Sequence, residues 1–180
     1  MFKSAYDCSV HAYVDADWGS CMDTRRSTTR FCIFLGNSLV SWKAKRQKTV
    51  SKSSAEVEYR ALASISTEIV WLKNLLTDFH ISTPHAVIYC DNQATIQIAA
   101  NPSHHEHTKH MDIDLHFVRE HVEKGTIKLN HIRKHHQLAN CFIKSLPITS
   151  FLSILSKMGI ENIFLPSWGG PISLTLVTLC

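Results

Sequence analysis

Ser53-Ser54-Ala55-Glu56-Val57-Glu58-Tyr59 opens the longest helical pattern in the chain. Ser53 followed three residues later by Glu56 is a capping box, in which hydroxyl and carboxylate each satisfy an N–H left unpaired at a helix start. At about 100° per residue, Glu58, Leu62, Ile65, Ile69, Leu72 and Leu76 fall on one stripe, and that stripe must face a core. The pattern predicts a helix from about Ser54 to Phe79. Glu58 is then a carboxylate on the first turn of the buried face. It needs a partner, for which a metal ion is suited, or a route to solvent past the helix end. Glu56 points a third of a turn or more away, where capping is a sufficient explanation.

The chain on either side has two different rhythms. Upstream, residues 10–17 alternate as a strand, and Arg30 to Leu35 and Leu39 to Lys45 read as two more, joined by a Gly36-Asn37 turn. Downstream, Ala86 to Cys90 is a short apolar strand, followed by a helix from about Asn92 to Ala100 that must stop before Pro102. Met111, Leu115, Val118 and Val122 have helical spacing, with Gly125 placed as a C-cap. Thr126 to Arg133 alternates as a fifth strand, and a last helix is expected from Gln137 to about Lys157, interrupted near Pro147. Strands joined by tight turns, then strands separated by helices, predict an α/β fold: a five-stranded mixed sheet with helices packed on it. One domain is expected over residues 10–165, with an extension at 1–9 and an unstructured tail at 166–180.

A chain of 180 residues is long enough for one such domain, and 44% hydrophobic with 19% charged residues is a globular composition. The formal charge of +4 permits a polyanionic partner without requiring one. The six cysteines include no CxxC pair, so neither a zinc knuckle nor a redox motif is indicated, and buried thiols in a reducing compartment are expected. Met1 to His11 lacks the apolar region of a signal peptide, and no apolar run approaches the ~20 residues of a membrane span. A cytoplasmic or nuclear location is therefore expected. No Gly-rich phosphate loop and no GxSxG elbow is present.

Acidic residues recur at the structural junctions. Tyr13, Asp15 and Asp17 share one face of the first strand, either as solvated groups or as part of a site. Asp91 closes an apolar strand just before a helix, at the strand end where α/β sheets gather their ligands; a helix N-cap is its alternative role. Carboxylates on a strand, at a helix start and at a strand end can converge. A few carboxylates with substrate phosphate oxygens hold Mg²⁺, and two such ions stabilise both the attacking and the leaving oxygen in phosphodiester hydrolysis.

With these residues in place, the chain resembles the ribonuclease H domain of copia-type LTR retrotransposon Pol polyproteins. The blocks that carry the resemblance are Tyr13-Val14-Asp15-Ala16-Asp17-Trp18, Arg25-Arg26-Ser27-Thr28-Thr29, Ser41-Trp42-Lys43, Gln47 through Ala63, and Tyr89-Cys90-Asp91-Asn92-Gln93. Further blocks are Asn101-Pro102, Thr108-Lys109-His110, His116-Phe117-Val118-Arg119-Glu120 and Gln137-Leu138-Ala139, so that residues 10–165 are covered. The resemblance implies a ribonuclease H-like fold and cleavage of the RNA strand of an RNA–DNA hybrid with Mg²⁺, or Mn²⁺ in its place. It puts Asp15, Glu58 and Asp91 at three of four metal-binding acids and Asn140 at the fourth. There the chain departs from the pattern: no Asp or Glu lies between residue 124 and Glu161, and Ile143 stands where the family usually has Thr. Activity weakened by Asn140 is expected, the alternative being an inactive nucleic-acid-binding relict. The family's domain is normally joined to a reverse transcriptase, so the chain reads as a fragment or decayed copy.

Lys43, Lys45, Arg46, Lys48 and Lys52, beside Trp42, form a basic run suited to tracking phosphates, with a solvated strand end as the alternative. By resemblance, Ser54 and Gln93 stand at positions that contact the hybrid's minor groove. His104-His105-Glu106-His107-Thr108-Lys109-His110 has the composition of a zinc site, against which stand its loop context and its match to the family block. His135 and His136 lie where related ribonucleases carry a histidine that assists product release, or in a solvated loop.

Overall fold

The computed structural model describes residues 8–100, 112–142 and 146–160. Met111, Ile143, Asn101-Pro102, the His104–His110 segment with its zinc reading, and the 166–180 tail lie outside these described residues.

Five strands, β1 (Val10–Asp17), β2 (Thr28–Leu35), β3 (Ser38–Arg46), β4 (Ala86–Cys90) and β5 (Ile127–His131), form one sheet in the order β3-β2-β1-β4-β5. β1, β2 and β3 pair antiparallel, while β4 pairs parallel with both β1 and β5. The sheet is therefore mixed, as expected where tight turns give way to helical crossovers. The Gly36-Asn37 turn joins β2 to β3, and Gly36 takes a φ of 54° that suits glycine.

Helix α1 (Ser54–Asp78) crosses one face of the sheet, with α2 (Gln93–Ala100) and α3 (Asp112–Glu123) beside it. Its buried stripe is the predicted one. Leu62, Ile65, Ile69 and Leu76 pack with Val10, Ala12, Val14, Phe31, Ile33 and Ile88 into the main core, with Leu72 at its margin. Truncating the fully buried Ile65 to Ala would cost about 2–5 kcal/mol. Gly125, at φ 68°, ends α3 with the paired bonds Gly125 N–H to Val122 O and Thr126 N–H to His121 O, which satisfy the last carbonyls.

The opposite face is covered differently from the expectation. Of the helix expected from Gln137 to Lys157 with a break near Pro147, the part after the break is α4 (Ile148–Lys157), while the part before it is a 3₁₀ turn at Leu138–Phe142, preceded by another at Lys134–His136. Leu138, Ile154 and Met158 pack there on Cys32 and Phe34. The reason is Gln137. Its amide is spent on the sheet, donating to Val14 O at 2.8 Å and, at a longer 3.5 Å, to Tyr89 O. A tertiary bond thus overrides local helical preference. No helix among the described residues is long and apolar enough to cross a membrane.

Candidate metal centre and nucleic-acid face

The parallel register sets Val14 opposite Cys90, so Asp15 and Asp91 leave adjoining strand ends as neighbours. The start of α1 is brought over the same point. Tyr59 helps fix it, its hydroxyl donating to Thr95 O at 3.0 Å and tying α1 to α2. The result is that Asp15, Glu58 and Asp91 each offer one carboxylate oxygen within 4.8 Å of the others. Among the described residues this is the one group of three or more side chains so arranged. Asp15 and Glu58 are buried and Asp91 is half-buried. The N-cap alternative for Asp91 is taken up by its neighbour, since Asn92 Oδ1 accepts from Thr95 N–H at 3.2 Å.

The three acids leave a mark on the thiol beneath them. Burial first, then the nearby Glu58 carboxylate, with smaller contributions from Asp91 and Asp15, push Cys90 up to about 12. Buried like charges repel unless a cation joins them, and an all-oxygen donor set suits a hard divalent ion. Asp17, the other acid of the first strand, stays outside the group, with 38% of its side chain exposed.

A cation is already present in the protein. Arg30 lies directly across the β1–β2 pair from Asp15, and its side chain is fully buried. Its Nη2 is 2.8 Å from Asp15 Oδ2 and 3.7 Å from Asp17 Oδ2. The approach to Asp15 is a close charge contact without hydrogen-bond alignment. Nothing in the strand pattern singles out this residue. Its only sequence signal is register: an arginine paired in a hairpin with an acid.

Asn140, expected at the fourth acid position, is buried in the 3₁₀ turn that Gln137 pins to β1 and β4. Its Nδ2 donates to Lys134 O at 3.2 Å. Sequence reading noticed Gln137 only as part of a block and missed that it is the anchor of this turn.

The basic run forms a groove of about 310 Å³, lined by Thr29, Lys43, Lys45, Arg46, Gln47, Lys48, Thr49, Arg60 and Ser64. Gln47 staples this groove to α1: its amide donates to Thr29 Oγ1 and Val57 O, both at 3.0 Å. Lys45, Arg46 and Lys48 are exposed. Lys43 differs from them. Its ammonium is committed to Glu68 at 3.0 Å and lies over the Phe31 ring. Ser54 and Gln93 are exposed at the first positions of α1 and α2. His135 and His136 are exposed with their rings 4.0 Å apart, and the neighbouring His135 lowers the pKa of His136.

No family model matches the chain. It is 41% identical over 164 residues to the retrovirus-related Pol polyprotein from transposon RE1 of Arabidopsis thaliana. It is 32% identical over 156 residues to that from transposon TNT 1-94 of Nicotiana tabacum. The matches take 91% and 87% of this chain but only 11% and 12% of the two polyproteins, so the chain spans about a tenth of their length. Among solved structures, the N-terminal RNase H domain of rv2228c from Mycobacterium tuberculosis matches with a TM-score of 0.56 at 10% identity, covering 83% of this chain and 97% of that one. LC11-RNase H1 in complex with an RNA/DNA hybrid matches at 0.53 and 8% identity, over 72% of this chain and 88% of that one. At such identities the likeness speaks for the fold alone.

Proposed function

The chain has the ribonuclease H fold and is homologous to a segment of transposon-encoded, retrovirus-related Pol polyproteins, and from that premise we propose that it is a copia-type ribonuclease H domain weakened at its fourth acid. The reaction is endonucleolytic hydrolysis of the RNA strand of an RNA–DNA hybrid. The observation that carries the reading is the meeting of Asp15, Glu58 and Asp91 within 4.8 Å.

Asp15 and Asp91 would hold the metal, Mg²⁺ or Mn²⁺ in its place, and Glu58 would both hold metal and orient the attacking water. When bound, divalent ions supply charge stabilisation for the entering and departing oxygens of an in-line displacement. Water adds to phosphorus and the bond to the 3′ oxygen breaks, leaving a 3′-hydroxyl and a 5′-phosphate. The hybrid is held by groups elsewhere: Lys45, Arg46 and Lys48 meet phosphates, and Ser54 and Gln93 stand at the mouths of two helices where they reach the minor groove. In its native setting the domain works joined to a reverse transcriptase.

A second reading, a nucleic-acid-binding domain without cleavage, is favoured by Asn140. An amide brings no negative charge and presents two donors that a dication repels. Hybrid cleavage in Mg²⁺ and in Mn²⁺, run for the unaltered chain beside Asn140→Asp, separates the two. The expected outcome is very low cleavage by the unaltered chain and a gain of at least about 10–100-fold in the variant, with little change in hybrid affinity. The variant gives up the Asn140 bond to Lys134 O, a loss of about 1 kcal/mol. Fast cleavage by the unaltered chain overturns the weakened-site reading. A folded Asn140→Asp chain that stays inactive supports the binding-only reading.

A further inference from the structure

We propose that Arg30 is a tethered cation seated on the Asp15 carboxylate, which it shares with any divalent ion bound at the acidic cluster, so that its charge lowers the cluster's affinity for metal. The inference deepens the metal-centre reading and rests on it.

Register puts the guanidinium there. Asp15 and Arg30 are Cα partners in the β1–β2 pair, and directly opposed residues of an antiparallel pair project from the same face. The 3₁₀ turn Leu138–Phe142 closes over that face, packing on β1 and β2, with Leu138 against Cys32 and Phe34 on the side of β2 that carries Arg30. Arg30 is consequently 0% exposed, one of the largest fully buried side chains in the protein. A buried guanidinium is costly unless its charge and its donors are both met. Here only the charge is met. Nη2 lies 2.8 Å from Asp15 Oδ2, while Nε and Nη1 find no hydrogen-bond acceptor among the described residues. Asp15, with Asp17 at 3.7 Å, balances the charge of Arg30, and Asp15 is also the acid that joins Glu58 and Asp91.

Two cations then contend for one carboxylate. A dication placed against Asp15 also lies close to the guanidinium, and their repulsion in a poorly solvated site is many times thermal energy. Arg30 is anchored to β2 and cannot leave as a solvated ion does. Asn140 adds no charge to restore the balance. Arg30 therefore sets metal affinity from inside the fold, independently of the missing fourth acid.

Mn²⁺ binding to the full chain, followed by the resonance of free Mn²⁺, tests this with three proteins: unaltered, Arg30→Gln and Arg30→Lys. Melting temperatures in EDTA and in excess Mg²⁺ accompany it. Arg30→Gln is expected to bind Mn²⁺ at least about tenfold more tightly, the scale on which groups beside metal ligands commonly act. Mg²⁺ should then raise its melting temperature more than that of the unaltered chain. Arg30→Lys keeps the charge and should bind as weakly as the unaltered chain. Arg30→Met, which retains an unbranched stem, replaces Arg30→Gln if the latter fails to fold. Equal Mn²⁺ affinity in all three folded proteins overturns the role of Arg30 and leaves the metal centre standing. Absence of binding in all of them overturns the metal centre itself, and the proposal with it. Tight binding by Arg30→Gln that survives Asp91→Asn places the ion elsewhere and also overturns it.

Discussion

The start of α1 carries two acids that are buried to nearly the same degree, Glu56 at 9% and Glu58 at 8% exposed, in two opposite settings. On one side, Glu56 is answered by the chain around it. Its Oε2 accepts from Lys52 N–H at 2.7 Å, its Oε1 lies 2.7 Å from Arg60 Nη2, and its own N–H donates to Ser53 Oγ. On the other side, two residues along, Glu58 is turned toward two further carboxylates. Burial is the same; the neighbours decide the role. A buried acid surrounded by local donors serves the helix start, and one gathered with distant acids is a candidate metal ligand.

The widest predicted separation between the two sides is in chemistry. In the Asn140→Asp background, Glu58→Gln should lower Mg²⁺-supported hybrid cleavage by at least about 100-fold, as expected for loss of a group that holds metal and water, while Glu56→Gln should change it by less than about threefold. Rate constants at saturating hybrid check this, and similar losses in both variants would erase the distinction between the two acids.

A smaller effect is expected where the cap side meets the basic groove. Replacing Lys45, Arg46 and Lys48 together by Ala should flatten the dependence of log affinity on log salt by about 2–3, since each phosphate left without its cation lowers the slope by ~0.9. Hybrid binding in EDTA over a range of salt measures it. Lys43→Ala should barely move the slope, because its ammonium is engaged with Glu68. An unchanged slope in the triple variant assigns hybrid binding to another surface.

The least effect, and the one that most sharpens the contrast, is on stability without metal. Glu56→Gln removes a cap and an ion pair and should lose about 1 kcal/mol. Glu58→Gln relieves repulsion among carboxylates and should be neutral or stabilising by up to about 1 kcal/mol. Urea unfolding in EDTA reads both. A larger loss in Glu58→Gln would mean that Glu58 is a structural acid held by the protein.

Much of this is legible in the chain itself. β4 occupies the predicted Ala86–Cys90, Ser53 caps α1 as the expected box requires while Glu56 reaches back one residue further, to Lys52 N–H, and the buried stripe of α1 runs through the predicted residues. Local patterns of period 2 and 3.6 carry these features, and they are complete within a few turns of chain. The C-terminal region departs from its expected helix because Gln137 spends its amide on carbonyls 48 and 123 residues away, and no local pattern announces such a bond. Lys43 reads in sequence with its basic neighbours, but its partner Glu68 lies on another element.

The sequence by itself determined the five strands, the helices up to β5 and the apolar stripe, because these are written in spacing and residue type, while the choice of Asp15, Glu58 and Asp91 among its acids came from the family resemblance. Only the tertiary structure decided which acids meet, what faces them, and that a buried arginine shares their space. Those depend on strand register and on which turn covers which face. Both are properties of distant segments brought together, where a shift of one residue would turn Arg30 to the other side of the sheet.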